Sequence, residues 1–362
     1  MPLQGKIDFR SDTFTQPTDA MRHAMFESVV GDDVWGLDPT VNELEQLAAK
    51  IFGKDAALFL PSTCMGNLIA VMAHTSGRGD EILVGDKAHI SLYEQGGVST
   101  IGGVHVRTLS NKEDGTFDVS ELVGKIRPNN VHFPKTALVC LESTHNMCGG
   151  SVLEPSFIDS VASIAAPLGI KLHLDGARVF NALTYLKLSP AGYVARFDSI
   201  SICLSKGLGA PVGSLLIGGK QFIDSSRRLR KALGGGMRQA GVIACCGRIA
   251  LTDMVARLEE DHANASLLCS LLMQIPGISS TAPPQTNIVK FAVNGVDLNG
   301  FCMELEKHNV YMITVDEGRA VRAVMHYHII KEDVVEAARV VEDIMKKISN
   351  GQIVIRSGSR VY

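Results

Sequence analysis

Lys206 lies between an apolar strand pattern and a glycine-rich loop. The run Asp198-Ser199-Ile200-Ser201-Ile202-Cys203-Leu204-Ser205 alternates apolar and small polar residues, a period of two. Gly207, Gly209 and Gly213 then break the pattern, so Lys206 falls just past the carboxyl end of a strand. In open α/β sheets, ligands bind along that edge. A lysine there can form a Schiff base with a carbonyl cofactor. Asp175 ends the preceding strand, Leu172-His173-Leu174-Asp175, 31 positions earlier (206 minus 175). That interval is about one βαβ unit, which would bring a carboxylate and an amine into one crevice.

Pyridoxal phosphate needs both groups: a lysine to carry it, and an acid beside its ring nitrogen to keep the ring cationic as an electron sink. A third element suits its phosphate. Ala56 to Leu60, Pro61-Ser62-Thr63-Cys64 and Met65-Gly66-Asn67 read as strand, tight turn and helix. Backbone N–H groups at a helix start, flanked by small hydroxyl residues, form a phosphate cradle. It is neither a G-x-x-x-x-G-K-[ST] loop nor a G-x-G-x-x-G turn. His89, in Gly85-Asp86-Lys87-Ala88-His89, follows another strand end. Its ring could stack on a flat cofactor or move a proton near neutral pH.

The elements that must position these groups alternate. A capping box with Thr40 as N-cap and Glu43 three residues on predicts a helix carrying Val41, Leu44, Leu47, Ala48 and Ile51. Strands and helices then follow one another to Ile217, which predicts an α/β fold: a mostly parallel central sheet with helices on both faces. The expected division is an N-terminal arm over 1–40, a large domain over 41–238 and connecting helices over 239–275. A small C-terminal α+β domain over 276–350 and a tail over 351–362 complete it.

The 362 residues leave room for a sizeable core, and 46% of them are hydrophobic. With 35 basic against 38 acidic side chains and a net charge of -3, no strong basic field invites nucleic acid or an anionic membrane. The 8 cysteines show no C-x-x-C spacing and read as reduced thiols of an intracellular protein. No uncharged apolar run reaches the roughly 18 residues needed to span a bilayer. The expected location is the cytoplasm, or the mitochondrial matrix if a targeting peptide lies upstream.

With these segments in order, the chain resembles the low-specificity L-threonine aldolases. The likeness rests on Asp8-Phe9-Arg10-Ser11-Asp12-Thr13, Gly31-Asp32-Asp33-Val34-Trp35-Gly36, Met65-Gly66-Asn67 and Thr144-His145-Asn146. It rests further on Asp175-Gly176-Ala177-Arg178, Ser205-Lys206-Gly207-Leu208-Gly209-Ala210-Pro211-Val212-Gly213-Ser214 and Gly234-Gly235-Gly236-Met237-Arg238-Gln239. The stretch covered runs from about residue 7 to 348.

That resemblance implies an aspartate-aminotransferase-like fold (pyridoxal-phosphate fold type I) and retro-aldol cleavage of L-threonine or L-allo-threonine to glycine and acetaldehyde. Lys206 would carry the cofactor as an aldimine, and Asp175 would pair with the ring nitrogen and stabilise the quinonoid. Ser62, Thr63 and Cys64 would hold the phosphate, and His89 would stack on the ring. Arg178 and Arg322 would clamp the substrate carboxylate with Ser11 nearby. His132 matches a histidine near the substrate hydroxyl, and Trp35 stands at the mouth of the site. Lys231 and Arg238 would reach in from a neighbouring subunit, making a homodimer the active unit within a homotetramer. The base is left among His89, His132 and a water. The family's Ser-Gly-Thr turn reads Ser62-Thr63-Cys64 here, its Tyr and Glu are replaced by Trp35 and Leu37, and its Asn by Ser143. The alternative is another fold type I reaction, β-elimination or racemisation of a small amino acid.

Overall fold

The computed structural model describes residues 5–280 and 282–355. Its strands are, in chain order, β1 (Ile7–Asp8), β2 (Ala56–Leu60), β3 (Asp80–Gly85), β4 (His105–Leu109), β5 (Lys135–Glu142), β6 (Lys171–Gly176) and β7 (Ser199–Cys203). They continue as β8 (Ser214–Gly218), β9 (Ile278–Ser280), β10 (Ile288–Val293), β11 (Val310–Tyr311), β12 (Ile313–Val315) and β13 (Ala320–Val324). The chain divides into two compact units, one of residues 16–256 and one joining the residues up to Thr15 with those from Arg257 onward. Of residues 239–275, expected as connecting helices, the helix Gly241–Thr252 falls in the first unit and Leu258–Leu272 in the second. Most of the tail, residues 356–362, lies outside the described residues.

The larger unit holds a seven-stranded sheet in the order β2-β8-β7-β6-β5-β3-β4. Pairs β7–β6, β6–β5, β5–β3 and β3–β4 are parallel. Only β8 runs against its neighbours, β2 and β7. Helices cover such sheets, so their strands bury both faces and read as continuous apolar runs. Thr136 to Glu142 of β5 are all buried. β7 reaches the same burial by another route. Its apolar and small polar residues alternate, yet Ser199 and Ser201 are fully buried. Ser199 Oγ lies 2.8 Å from both His74 Nε2 and His173 Nδ1, so the small polar face packs against imidazoles.

Three helices open the larger unit. α1 (Asp19–Glu27) stands where an extended arm was expected, capped by Thr18, whose Oγ1 accepts from Met21 N at 3.2 Å. α2 (Pro39–Phe52) starts earlier than the Thr40 capping box indicated. Asp38 is the N-cap, with Oδ1 accepting from Val41 N at 3.1 Å, and Pro39 takes the first helical position it is pre-organised for. Thr40 instead donates its hydroxyl to Val29 O at 2.7 Å. α3 (Thr63–His74) follows β2 directly, with Ser62 as N-cap.

The smaller unit carries an antiparallel sheet in the order β12-β13-β10-β9 and a two-residue parallel pairing of β1 with β11. Its core joins Phe291 and Val321 of the sheet to Phe301, Leu268, Val334, Val341 and Ile344 of its helices. Phe9 is fully buried in the same cluster.

Candidate active site

Sheet topology lines up the carboxyl ends of β2, β7, β6, β5 and β3 along one edge. At or just past these ends stand, in turn, Ser62, Lys206, Asp175, His145 and His89. Lys206 sits in the bend joining β7 to β8. Gly209 N donates to Lys206 O at 2.9 Å, Ala210 N to Leu204 O at 3.0 Å, and Leu204 N to Gly213 O at 3.0 Å. Gly213 has φ +120, and a Cβ there would stand 2.6 Å from the Phe59 ring, so only glycine closes this bend.

Asp175 is buried. Its Oδ2 accepts from Asn67 Nδ2 at 2.8 Å and its Oδ1 from Ala177 N at 3.1 Å. Asn67, one turn into α3, also donates to Glu94 Oε1 at 2.8 Å. Glu94 Oε1 lies 2.8 Å from His89 Nδ1 as well. Burial pushes the Glu94 carboxyl above its usual range. Burial also opposes charge on His89, but the Glu94 hydrogen bond and the Asp175 and Glu94 charges outweigh it, so His89 titrates above the ordinary imidazole range. The charges of Asp175 and Lys206 both act on His89 and on Cys64. Lys206, Asp175, His89 and Cys64 therefore share one electrostatic environment.

At the start of α3, Ser62 Oγ accepts from Met65 N at 3.2 Å, while the buried Thr63 hydroxyl has no hydrogen-bond partner among the described residues. Burial, with the Glu94 and Asp175 charges, pushes the Cys64 thiol up to about 11, so it is not a thiolate near neutrality. Cys64, His89 and Glu94 bring ligand-type atoms within 4.8 Å of one another. Glu94 already serves His89 and Asn67, so the trio forms a wall of the site. Beside Cys64 and Glu94 a recess of about 210 Å3 is lined by Met65, Leu68, Val98, Ile101 and Leu233.

These residues fit pyridoxal phosphate. A helix start with an unpartnered hydroxyl suits a phosphate, and a buried carboxylate held by two donors suits a ring nitrogen. Lys206 supplies the amine between them.

The other expected residues are distributed less tightly. Arg178 is buried just before the helix Val179–Leu186, and its Nη1 donates to Asn146 Oδ1 at 3.4 Å. Arg322 and Ser11 belong to the smaller unit. There Arg322 Nη2 donates to Arg10 O at 3.1 Å, and Ser11 caps a short turn through Thr13 N. Trp35 is 76% exposed. Arg238 pairs with Asp32 at 3.0 Å, and Lys231 lines a basic pocket of about 510 Å3 with Arg227, Arg228 and Arg230.

His132 is not brought to the site of its own chain. It is exposed and precedes Lys135, at the amino end of β5, so the full eight-residue strand separates it from the carboxyl edge. At about 3.3 Å per residue that is on the order of 25 Å. The histidine at the right end of β5 is His145. It is 1% exposed, and among the described residues neither ring nitrogen has a hydrogen-bond partner. Its Nδ1 lies 4.0 Å from Glu142 Oε1. The motif Thr144-His145-Asn146 already contained it. Met65-Gly66-Asn67 likewise contained Asn67, while Glu94 carried no comparable signal, since its role comes from folding α3 against the turn after β3.

Residues 8–294 match the family model described as Beta-eliminating lyase. The chain is 45% identical over 334 residues to low-specificity L-threonine aldolase 1 of Arabidopsis thaliana, covering 91% of this chain and 93% of that one. It is 39% identical over 332 residues to the low specificity L-threonine aldolase of Escherichia coli strain K12, covering 92% and 97%. Among solved structures, the threonine aldolase of Leishmania major superposes with a TM-score of 0.80 at 19% identity, over 94% of this chain and 99% of that one. At that identity the likeness speaks for the fold, the aspartate-aminotransferase-like α/β arrangement with its smaller second sheet.

Proposed function

The chain belongs to the beta-eliminating lyase family and, within it, to the low-specificity L-threonine aldolases, and from that premise we propose how its own residues carry the reaction. The protein is a pyridoxal-phosphate-dependent lyase that cleaves L-threonine to glycine and acetaldehyde. L-allo-threonine is assigned as a second substrate. When bound, the cofactor accepts the electron pair released from the Cα–Cβ bond.

Lys206 would hold the cofactor and release it to the incoming amino group. Ser62, Thr63 and the first N–H groups of α3 would hold the phosphate, with Cys64 packing as an uncharged thiol. Asp175 would keep the ring nitrogen protonated, which favours the developing negative charge at Cα. His89, oriented by Glu94, would lie against the ring. Arg178 would bind the substrate carboxylate, fixing rotation so that the breaking bond can align. His145 would take the proton from the substrate hydroxyl. A ring nitrogen with no hydrogen-bond partner among the described residues is placed to accept it.

One observation carries this reading most strongly: the buried Asp175 carboxylate, held by Asn67, in the same electrostatic field as Lys206 at the adjacent strand end. The test is product analysis with both threonine diastereomers. Acetaldehyde and glycine are expected from each. Ammonia release or enantiomer formation without aldehyde would move the protein to elimination or racemisation.

A further inference from the structure

Asn67 is fully buried on α3, and the chemistry above gives it no task. Both hydrogens of its amide are committed, one to Glu94 Oε1 and one to Asp175 Oδ2, each at 2.8 Å. These carboxyl oxygens are the acceptors, so the amide cannot be turned over, and Asn67 Oδ1 must receive a proton from elsewhere. His173 Nε2 stands 3.1 Å from it. His173 is fully buried, and burial holds its pKa at about 3, so the ring is neutral and carries its one proton on Nε2. His173 Nδ1 must then accept, and Ser199 Oγ donates to it at 2.8 Å. Having given its proton, Ser199 Oγ accepts from His74 Nε2 at 2.8 Å. Ser201 Oγ, 3.5 Å from His173 Nε2, is too far to compete well. Each donor direction follows from the one before it.

We propose that Asn67 is a positioning residue, and that His173, Ser199 and His74 behind it form a one-way hydrogen-bond chain holding the Asp175 and Glu94 carboxyl groups in a fixed mutual orientation. The carboxylate assigned to the ring nitrogen and the one that orients His89 are thereby set by a single amide. Without the chain, Asn67 loses the donor to its oxygen and can rotate, and both carboxyl groups lose a shared donor in a buried site. The proposal rests on the assignment of Asp175 to the ring nitrogen.

The first test needs no altered chain. In protein labelled with 15N-histidine, the His173 ring is expected as a neutral imidazole protonated at Nε2, its signals identified by their loss in His173→Gln. A proton on Nδ1, or a charged ring at neutral pH, overturns the chain. The second test titrates apoprotein with pyridoxal phosphate and follows the visible absorption band. Asn67→Ala and His173→Leu are expected to weaken cofactor binding about tenfold or more, the scale of a lost hydrogen bond to a charged group. His173→Gln keeps an N–H donor and should bind within about twofold of the parent. Unchanged binding in Asn67→Ala overturns the proposal, and equal weakening in His173→Gln and His173→Leu shows that packing, not the donor, matters. Should His173→Leu fail to fold, Asn67→Ala and the tautomer decide. A parent protein that binds no pyridoxal phosphate would sink the functional reading, while the tautomer on apoprotein still judges the chain.

Discussion

A histidine that takes a proton from a substrate must stand where the substrate lies and keep a nitrogen free of other bonds. His145 stands at the carboxyl edge with both ring nitrogens unbonded among the described residues, whereas His132 fails the first condition within its own chain, being exposed at the far end of β5. His145→Asn is therefore expected to slow threonine cleavage about tenfold or more while cofactor binding persists. His132→Ala should leave turnover unchanged in the same acetaldehyde assay. Histidine chemistry also bears on stability. Burial lowers the His74 pKa to about 4 in the folded chain. An unfolded imidazole titrates near 6.5. Between those values the unfolded state binds more protons, so acid erodes stability through this residue. His74→Gln keeps an N–H for Ser199 but does not titrate. Relative to the parent it should gain on the order of 1 to 2 kcal/mol when denaturation is compared at pH 5 and pH 7. A constant difference would show that His74 charges freely when folded.

At the scale of elements, Asp38 supports more than a helix start. Besides capping α2, its Oδ2 accepts from Gly241 N at 2.8 Å and Gly31 N at 3.3 Å. Asp38→Ala should therefore cost about 2 to 3 kcal/mol in chemical denaturation, more than an ordinary cap, whereas Thr40→Ala should cost under about 1. The sequence led to Thr40 because a capping box is a local pattern. Two of the three N–H groups Asp38 serves come from residues 31 and 241, which no local pattern links. The same contrast separates what was legible at the site. Lys206 and Asp175 announce themselves through strand period and spacing. His145 was hidden by a competing histidine on the same strand's other end, since strand direction decides which end matters. Asn67 and Glu94 act through contacts 27 and 108 residues long, visible only once α3 is packed against β6 and the turn after β3.

For the whole molecule, the expected homodimer gives Lys231 and Arg238 their sharpest test. In the single chain they stand beside a basic pocket and at Asp32. If Lys231 serves a neighbouring subunit's site, Lys206→Ala and Lys231→Ala proteins, each inactive alone, should regain acetaldehyde release when mixed and allowed to exchange subunits. One site of the hybrid then holds both native residues. Mixtures that stay inactive, despite confirmed exchange, would confine Lys231 to its own chain.

The bend that carries Lys206 joins two strands buried in the middle of the sheet, and hydrogen bonds lace it at both ends. A crossover loop can absorb inserted residues because it leads out to a helix on the surface. This bend has no such outlet, and any side chain in place of Gly213 would run into Phe59. Anyone reshaping the substrate range by loop grafting therefore has one edge loop to leave alone. New length belongs in the crossovers beyond Glu94 or beyond Asn146, clear of His89, His145 and the amine.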